Sequence, residues 1–229
     1  MLLPQARLVL EEAQRARQIF DDLSGLVRGE LRIFASQTIA TYWLPPRLAS
    51  FANRYEAISV RLSVGNTAQV VDAVNSGEVD LGFVEGMFED ERLDRRRVGG
   101  DSLGLYLAPD HPLAGVRIGR DEIFAARWVL REPGSGTRDH FVTGLAAHGL
   151  TLRDLDICLE LPSNGAALEA ARSGGLIAVV SSLAAQARLR AGHLAEAYCD
   201  LPPRNFHLVR HRARALSAAA RAFEESLTV

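Results

Sequence analysis

A strand-then-helix rhythm runs through this chain twice, and it constrains the fold more than any other feature. After Gly29, the residues Leu31, Ile33 and Ala35 read as a first strand, and Pro45-Pro46 suits the first turn of a helix striped by Leu48, Phe51, Ala52 and Tyr55. Val60, Leu62 and Val64 make a second strand. The next helix, with Ala68, Val71 and Val74 on its apolar face, is expected to stop at Gly77, and Val79 to Val84 reads as a third, nearly all-apolar strand. A second unit opens at the strand-like Leu103 to Ala108. It continues with a strand at Trp128 to Leu130, a helix near Arg138 to His148, a strand at Ile157 to Leu161, a helix over Ala166 to Arg172 and the apolar strand Leu176 to Val180. Strands alternating with helices in this way imply a parallel sheet covered on both faces.

Phe206 to Val209 reads as a return strand. The last helix, Ala213 to Leu227, is surplus to the second unit and is expected to go back to the first. The fold class expected is therefore α/β: two Rossmann-like lobes joined by two crossover strands, a hinged clam of the type II periplasmic-binding-protein kind. Its divisions are expected at 27–105 with 208–229 for the first lobe, and 106–207 for the second. Ahead of them, Leu2, Ala6, Val9, Ala13, Ala16, Phe20, Leu23 and Val27 alternate steps of four and three, as a heptad seam requires. Residues 1–26 thus read as a dimerising linker helix, against the alternative of a surface helix lying on its own domain. No N-cap signal precedes the seam, so the helix is expected to start upstream of Met1.

Charge and composition exclude several function classes. The 26 basic residues nearly balance the 28 acidic ones, so the chain lacks the basic excess of most nucleic-acid binders. Every basic residue is Arg. Without a lysine there is no Walker A phosphate loop and no Schiff-base chemistry. Cys158 and Cys199 match neither a metal-ligand nor a redox spacing and are expected to be buried thiols. No basic-then-apolar leader is present and no stretch approaches the roughly 20 apolar residues of a membrane span, so a cytoplasmic protein is expected.

Four turns place small polar residues between the end of a strand and the start of a helix: Ser36-Gln37-Thr38, Asn66-Thr67, Ser135-Gly136-Thr137-Arg138 and Ser163-Asn164 with Gly165. In an open parallel sheet the ligand crevice lies at the carboxyl ends of the strands, where helix starts offer free N–H donors and a partial positive charge. Any one of these residues is equally an ordinary N-cap. Their recurrence argues for a polar pocket suited to a carboxylate or oxyanion. Arg138 is the fixed cation of this set, following a flexible Gly-Ser-Gly-Thr turn; the alternative is a solvated helix arginine.

Catalytic constellations are missing: no G-x-S-x-G elbow, H-E-x-x-H, calcium loop or G-x-G-x-x-G after a strand occurs. The six histidines form no ligand pattern, and surface or capping roles are favoured for them. The run Asp90-Glu91-Arg92 with Asp94 to Arg97 is read as a solvated edge. No metal and no cofactor is implied.

The ordered marks resemble one family. Gly29-Glu30-Leu31-Arg32-Ile33-Phe34-Ala35-Ser36 after a seam helix looks like the linker-to-effector junction of LysR-type transcriptional regulators. Leu44-Pro45 with Phe51 and Tyr55, Gly77-Glu78-Val79-Asp80-Leu81-Gly82-Phe83, and Ala108-Pro109-Asp110-His111-Pro112-Leu113-Ala114 follow in that family's order. The resemblance implies an effector between the lobes, touching Ser36, Gln37, Thr38, Thr67, Ser135, Thr137, Arg138, Ser163 and Asn164. It also implies a homodimer or homotetramer that binds DNA through an amino-terminal winged helix-turn-helix absent from this sequence. The run Arg131 to Arg138 further resembles a subgroup tied to sulfur and one-carbon assimilation, which suggests sulfite, sulfate or a small carboxylate as effector. Two rivals share the architecture: a stand-alone solute-binding protein and a prephenate-dehydratase-like enzyme. The enzyme's Thr-Arg-Phe signature would have to stand at Thr137-Arg138-Asp139, where the third residue does not fit.

Overall fold

The computed structural model describes residues 28–227. The expected linker helix over 1–26 lies outside them. The chain begins with strand β1 (Gly29–Ser36), passes a π-helical turn (Ile39–Trp43) into helix α1 (Leu44–Arg54), and returns as β2 (Ile58–Gly65). Helix α2 (Thr67–Ser76), β3 (Leu81–Val84) and β4 (Leu93–Asp101) complete the outward path. Pro45 and Pro46 fill the first turn of α1, where a missing N–H costs nothing. Asn66 caps α2 in a capping box with Gln69, and Gly77 ends it at φ 81°, a conformation that side chains with a Cβ rarely adopt.

The chain then crosses at Ser102 and builds a second set of layers. This set comprises β5 (Leu103–Leu107), α3 (Arg120–Ala125), β6 (Arg127–Arg131), α4 (Gly136–Ala147), β7 (Asp156–Leu161), α5 (Asn164–Arg172), β8 (Ile177–Ser181), α6 (Ser182–Arg190) and β9 (Ala195–Ala197). It crosses back before β10 (Arg204–His211) and ends in α7 (Ala218–Ser226). The two sheets have matching order, β2-β1-β3-β10-β4 and β7-β6-β8-β5-β9. The expected divisions after residues 105 and 207 fall inside β5 and inside β10. Sheet membership changes instead at Ser102 and between Ala197 and Arg204.

Each sheet is mixed rather than wholly parallel. β1 runs parallel to β2 and β3, but β10 is antiparallel to β3 and β4, and β5 is antiparallel to β8 and β9. The reversal follows from the crossings, because a strand that enters a lobe from the other one runs against the strands wound within it. Both faces of each sheet are covered. In the first lobe, Phe51, Phe83, Phe206 and Phe223 pack on the α1–α7 side, and Val70, Val74, Val84 and Val209 on the α2 side. Phe223 meets Phe51 edge-on at 5.1 Å, which anchors the last helix to the first lobe as expected. Trp128 and Phe141 form the centre of one face of the second sheet, 5.2 Å apart.

Several local readings change. The charged run is a solvated edge as expected, but the edge is a strand: Asp94 to Arg97 lie within β4, an outer strand of the first sheet, where Arg95 and Arg97 are exposed. Ala52 and Ala68 are exposed, and the inward faces are carried by Leu44 with Phe51 and by Val70, Ala73 and Val74. Helices α3 and α6 and the short β9 were not legible in the pattern. Neither cysteine is fully buried. Among the described residues, no helix is long and apolar enough to cross a membrane.

Candidate functional site in the interlobe cleft

Strand ends and helix starts of both lobes converge where the two sheets face each other. β1 delivers Ser36, Gln37 and Thr38, β3 delivers Glu85 and Gly86, and the start of α2 delivers Asn66 and Thr67. From the second lobe, β6 ends in Arg131 with Glu132 next in the chain, α4 starts behind Ser135, and α5 starts behind Ser163. Ser36, Thr38, Thr67, Glu85, Arg131, Ser135, Thr137, Asn164 and Arg204 are all buried. A concentration of buried polar groups at one place is the informative departure from the apolar-inside rule, because each must find a partner or carry a cost.

The partners come largely from the opposite lobe. Gln37 donates from Nε2 to the Pro162 carbonyl at 2.9 Å, and its Oε1 accepts from the Asn164 N–H at 3.1 Å. Asn164 donates through Nδ2 to Thr38 Oγ1 at 3.0 Å, and its Oδ1 accepts from Arg131 at 3.0 Å. Ala68 N–H reaches the Gly134 carbonyl at 3.4 Å, and Asn66 Nδ2 reaches Glu132 at the same distance. Gly86 and Gly136 meet backbone to backbone. A Cβ on Gly136 would lie 2.4 Å from the Gly86 nitrogen, and one on Gly86 would lie 2.5 Å from Thr67 Oγ1. Only glycine permits this approach.

Arg204 joins the whole arrangement. It is 1% exposed and stands where the chain re-enters the first lobe. Its guanidinium makes two hydrogen bonds to Asp101, at 2.5 and 2.8 Å, tying the two crossings together. The remaining donors reach Thr137 Oγ1 at 3.0 Å in one lobe and Thr38 Oγ1 at 3.3 Å in the other. Asp101 also accepts from Ser181 Oγ. Glu85 is 3% exposed, accepts from the Ser36 hydroxyl, and lies 3.6 Å from Arg204. Burial pushes the Glu85 carboxyl above the usual carboxylate range; Asp101 adds to the shift, while Arg204, the residue's own backbone hydrogen bond and Arg131 oppose it. Thr67 Oγ1 is buried with no hydrogen-bond partner among the described residues.

Residues 24–228 match the LysR substrate binding domain family. Over 225 residues the chain is 35% identical to the HTH-type transcriptional regulator YeiE of Escherichia coli K12, which spans 97% of this chain and 74% of that protein. It belongs to the LysR-type transcriptional regulators. Another relative is the RuBisCO operon transcriptional regulator of Allochromatium vinosum, 30% identical, with 96% of this chain and 72% of that one covered. Among solved structures, the regulatory domain of CcmR from Synechocystis PCC6803 in complex with 2-PG aligns at a TM-score of 0.79. That alignment has 28% identity and covers 87% of this chain and 96% of that one.

Within this LysR substrate-binding domain, the sequence-derived positions divide into three groups. Ser36, Gln37, Thr38, Thr67, Ser135, Gly136, Thr137 and Asn164 come together in the cleft. Asn66 and Ser163 sit at its rim and cap helices: Asn66 accepts from Gln69 N–H and Ser163 from Ala166 N–H. Arg138 turns away along its own lobe. Its guanidinium donates to the Arg131 carbonyl at 2.9 Å and pairs with Glu160 on β7. The reason is local, since residue three of α4 projects toward the neighbouring strand β7 rather than toward the helix start.

The buried cations of this LysR cleft are Arg131 and Arg204, and its carboxylates are Glu85, Asp101 and, one-quarter exposed, Glu132. Sequence reasoning placed none of these in the site. For Glu85 and Arg131 a signal existed: Glu85 follows β3 directly and Arg131 ends β6 after the apolar run Trp128 to Leu130, at the same carboxyl end of a strand as Ser36. For Arg204 no local signal exists, because its partner Asp101 lies 103 residues away.

Proposed function

We propose that this domain senses a small anion held between its lobes and transmits its presence to a winged helix-turn-helix outside these 229 residues. The effector class is a small oxyanion, sulfite or sulfate, or a small carboxylate. The observation that carries the reading is the buried set of hydroxyls and amides shared by both lobes: Thr38, Thr137 and Asn164 around Arg204, with Thr67 beside Gly86 and Gly136. Helices α4 and α5 both begin there, and the first turn of a helix offers N–H groups without intrahelical acceptors. A guest bridging such groups favours the closed arrangement because it touches both lobes only when they are together, and a ligand acts only through that difference in affinity. That CcmR's regulatory domain, 28% identical, forms a complex with 2-PG supports a small anionic guest.

The regulator is proposed to work in the cytoplasm as a homodimer or homotetramer, to contact DNA through the winged helix-turn-helix, and to carry out no chemistry on its effector. Thermal-shift titration with sodium sulfate, sodium sulfite and sodium acetate tests the reading, since a ligand selective for the folded form raises its melting temperature. At least one of the three stabilises the wild type. Thr137→Val then weakens that ligand by about 1.5–3 kcal/mol, the range for a hydrogen bond to a charged group. A Thr137→Val protein with undiminished affinity would move the site elsewhere.

A further inference from the structure

The charges in the cleft do not balance, and the imbalance bears on what can bind there. Asp101 takes two hydrogen bonds from Arg204, and Glu132 takes two from Arg131, at 2.8 and 2.9 Å. Both arginines are thereby committed. Glu85 is the carboxylate left over, with the Ser36 hydroxyl and its own backbone N–H as hydrogen-bond donors and Arg204 no nearer than 3.6 Å. The groups facing it are Arg204 from β10, Asp101 from β4, Arg131 from β6 and Ser36 from β1. His140, on α4, stands behind the Arg204–Asp101 pair, its ring near the Pro203 carbonyl at 3.3 Å. An anion seated against Thr67, Thr137 and the helix starts therefore meets a buried, ionisable neighbour of its own sign.

We propose that Glu85 makes anion binding in this cleft proton-linked: the guest is held with one proton between its oxygen and the Glu85 carboxyl. The proton either arrives on the guest, as in a singly protonated oxyanion, or is taken from water by Glu85; no other bond forms or breaks. Two independent features support this. The carboxyl is almost fully buried, which disfavours its charged form, and its ordinary titration range is already shifted upward by that burial. The buried Thr67 hydroxyl, without a partner among the described residues, lies beside Gly86, next in the chain to Glu85, and marks where a guest oxygen would complete the network. The inference rests on the reading of the cleft as an anion site.

The test uses the whole chain, sodium sulfate as a fully ionised probe, and the variant Glu85→Gln, which keeps the shape and removes the charge. Above the pH at which Glu85 of the unliganded wild type loses its proton, sulfate affinity falls toward tenfold per pH unit, the slope of one linked proton, and below that pH it levels off. For Glu85→Gln it stays flat and exceeds the wild-type affinity at the alkaline end. Equal slopes in the two proteins overturn the inference while leaving the anion site in place. If sulfate, sulfite and acetate stabilise neither protein, the anion site itself fails and the inference with it. Calorimetry of the wild type with its stabilising anion, in two buffers of different ionisation heat, counts the protons directly and does not depend on the variant folding. With sulfate, at a pH on the alkaline side of the Glu85 titration, the count approaches one proton per anion, and zero there would overturn the proposal.

Discussion

Arg204 shows how much one residue can hold. Four of its five donors are shared among Asp101, Thr38 and Thr137, so a single guanidinium bonds both crossings and both lobes at 1% exposure. A buried pair of this kind adds little compared with an apolar substitute, but breaking it leaves an uncompensated charge. Arg204→Ala is accordingly expected to cost about 3–5 kcal/mol in urea unfolding, because Asp101 stays buried without its cation. Arg204→Ala together with Asp101→Asn should recover part of that loss. A single variant within about 0.5 kcal/mol of wild type, the scale of ordinary surface changes, would show that water reaches Asp101.

At the scale of elements, the decisive contact is between the turn after β3 and the start of α4. Gly86 and Gly136 touch there through backbone atoms, and a methyl on Gly136 would stand 2.4 Å from a main-chain nitrogen. Because backbone cannot rotate out of the way as a side chain can, Gly136→Ala is expected to wedge the lobes apart. Small-angle scattering would then show a larger radius of gyration than wild type, and the anion-induced rise in melting temperature would shrink. Identical scattering and an undiminished ligand response would contradict the closed contact. The element pattern was legible wherever period and punctuation agreed, as in β1, α2 with its Asn66 cap and Gly77 stop, and β8. It misled where polarity masked a strand: Asp94 to Arg97 belong to β4 because an outer strand needs only one apolar face and can be charged along the other. The faces of α1 and α2 were right at Leu48, Phe51 and Tyr55 and at Val71 and Val74, and wrong only at Ala52 and Ala68, because alanine fits either side of an amphipathic helix.

At the scale of the whole molecule, the second lobe is one continuous stretch inserted into a first lobe assembled from both ends of the described chain. Its two cores draw only on residues from Leu103 to Leu201, whereas the first lobe needs Phe206, Leu208 and Phe223 from beyond the second crossing. Residues 102–202 expressed alone are therefore expected to fold and to unfold in one cooperative transition, about 100 residues being an ordinary domain size. A broad, non-cooperative melt would mean that the interlobe bonds, not the cores, hold that lobe together. Alternation of strands and helices, the polar turns after the strands and the ordered family marks were enough, by themselves, to determine two lobes, a cleft and eight of the residues that line it. These are signals within a few residues of one another, set by backbone geometry and helix capping. Which cations enter the cleft was decided only by the tertiary structure. Arg138 found Glu160 on a neighbouring strand, and Arg204 found Asp101 across a separation of 103 residues. Charge pairing depends on distance in space, which a linear pattern does not contain.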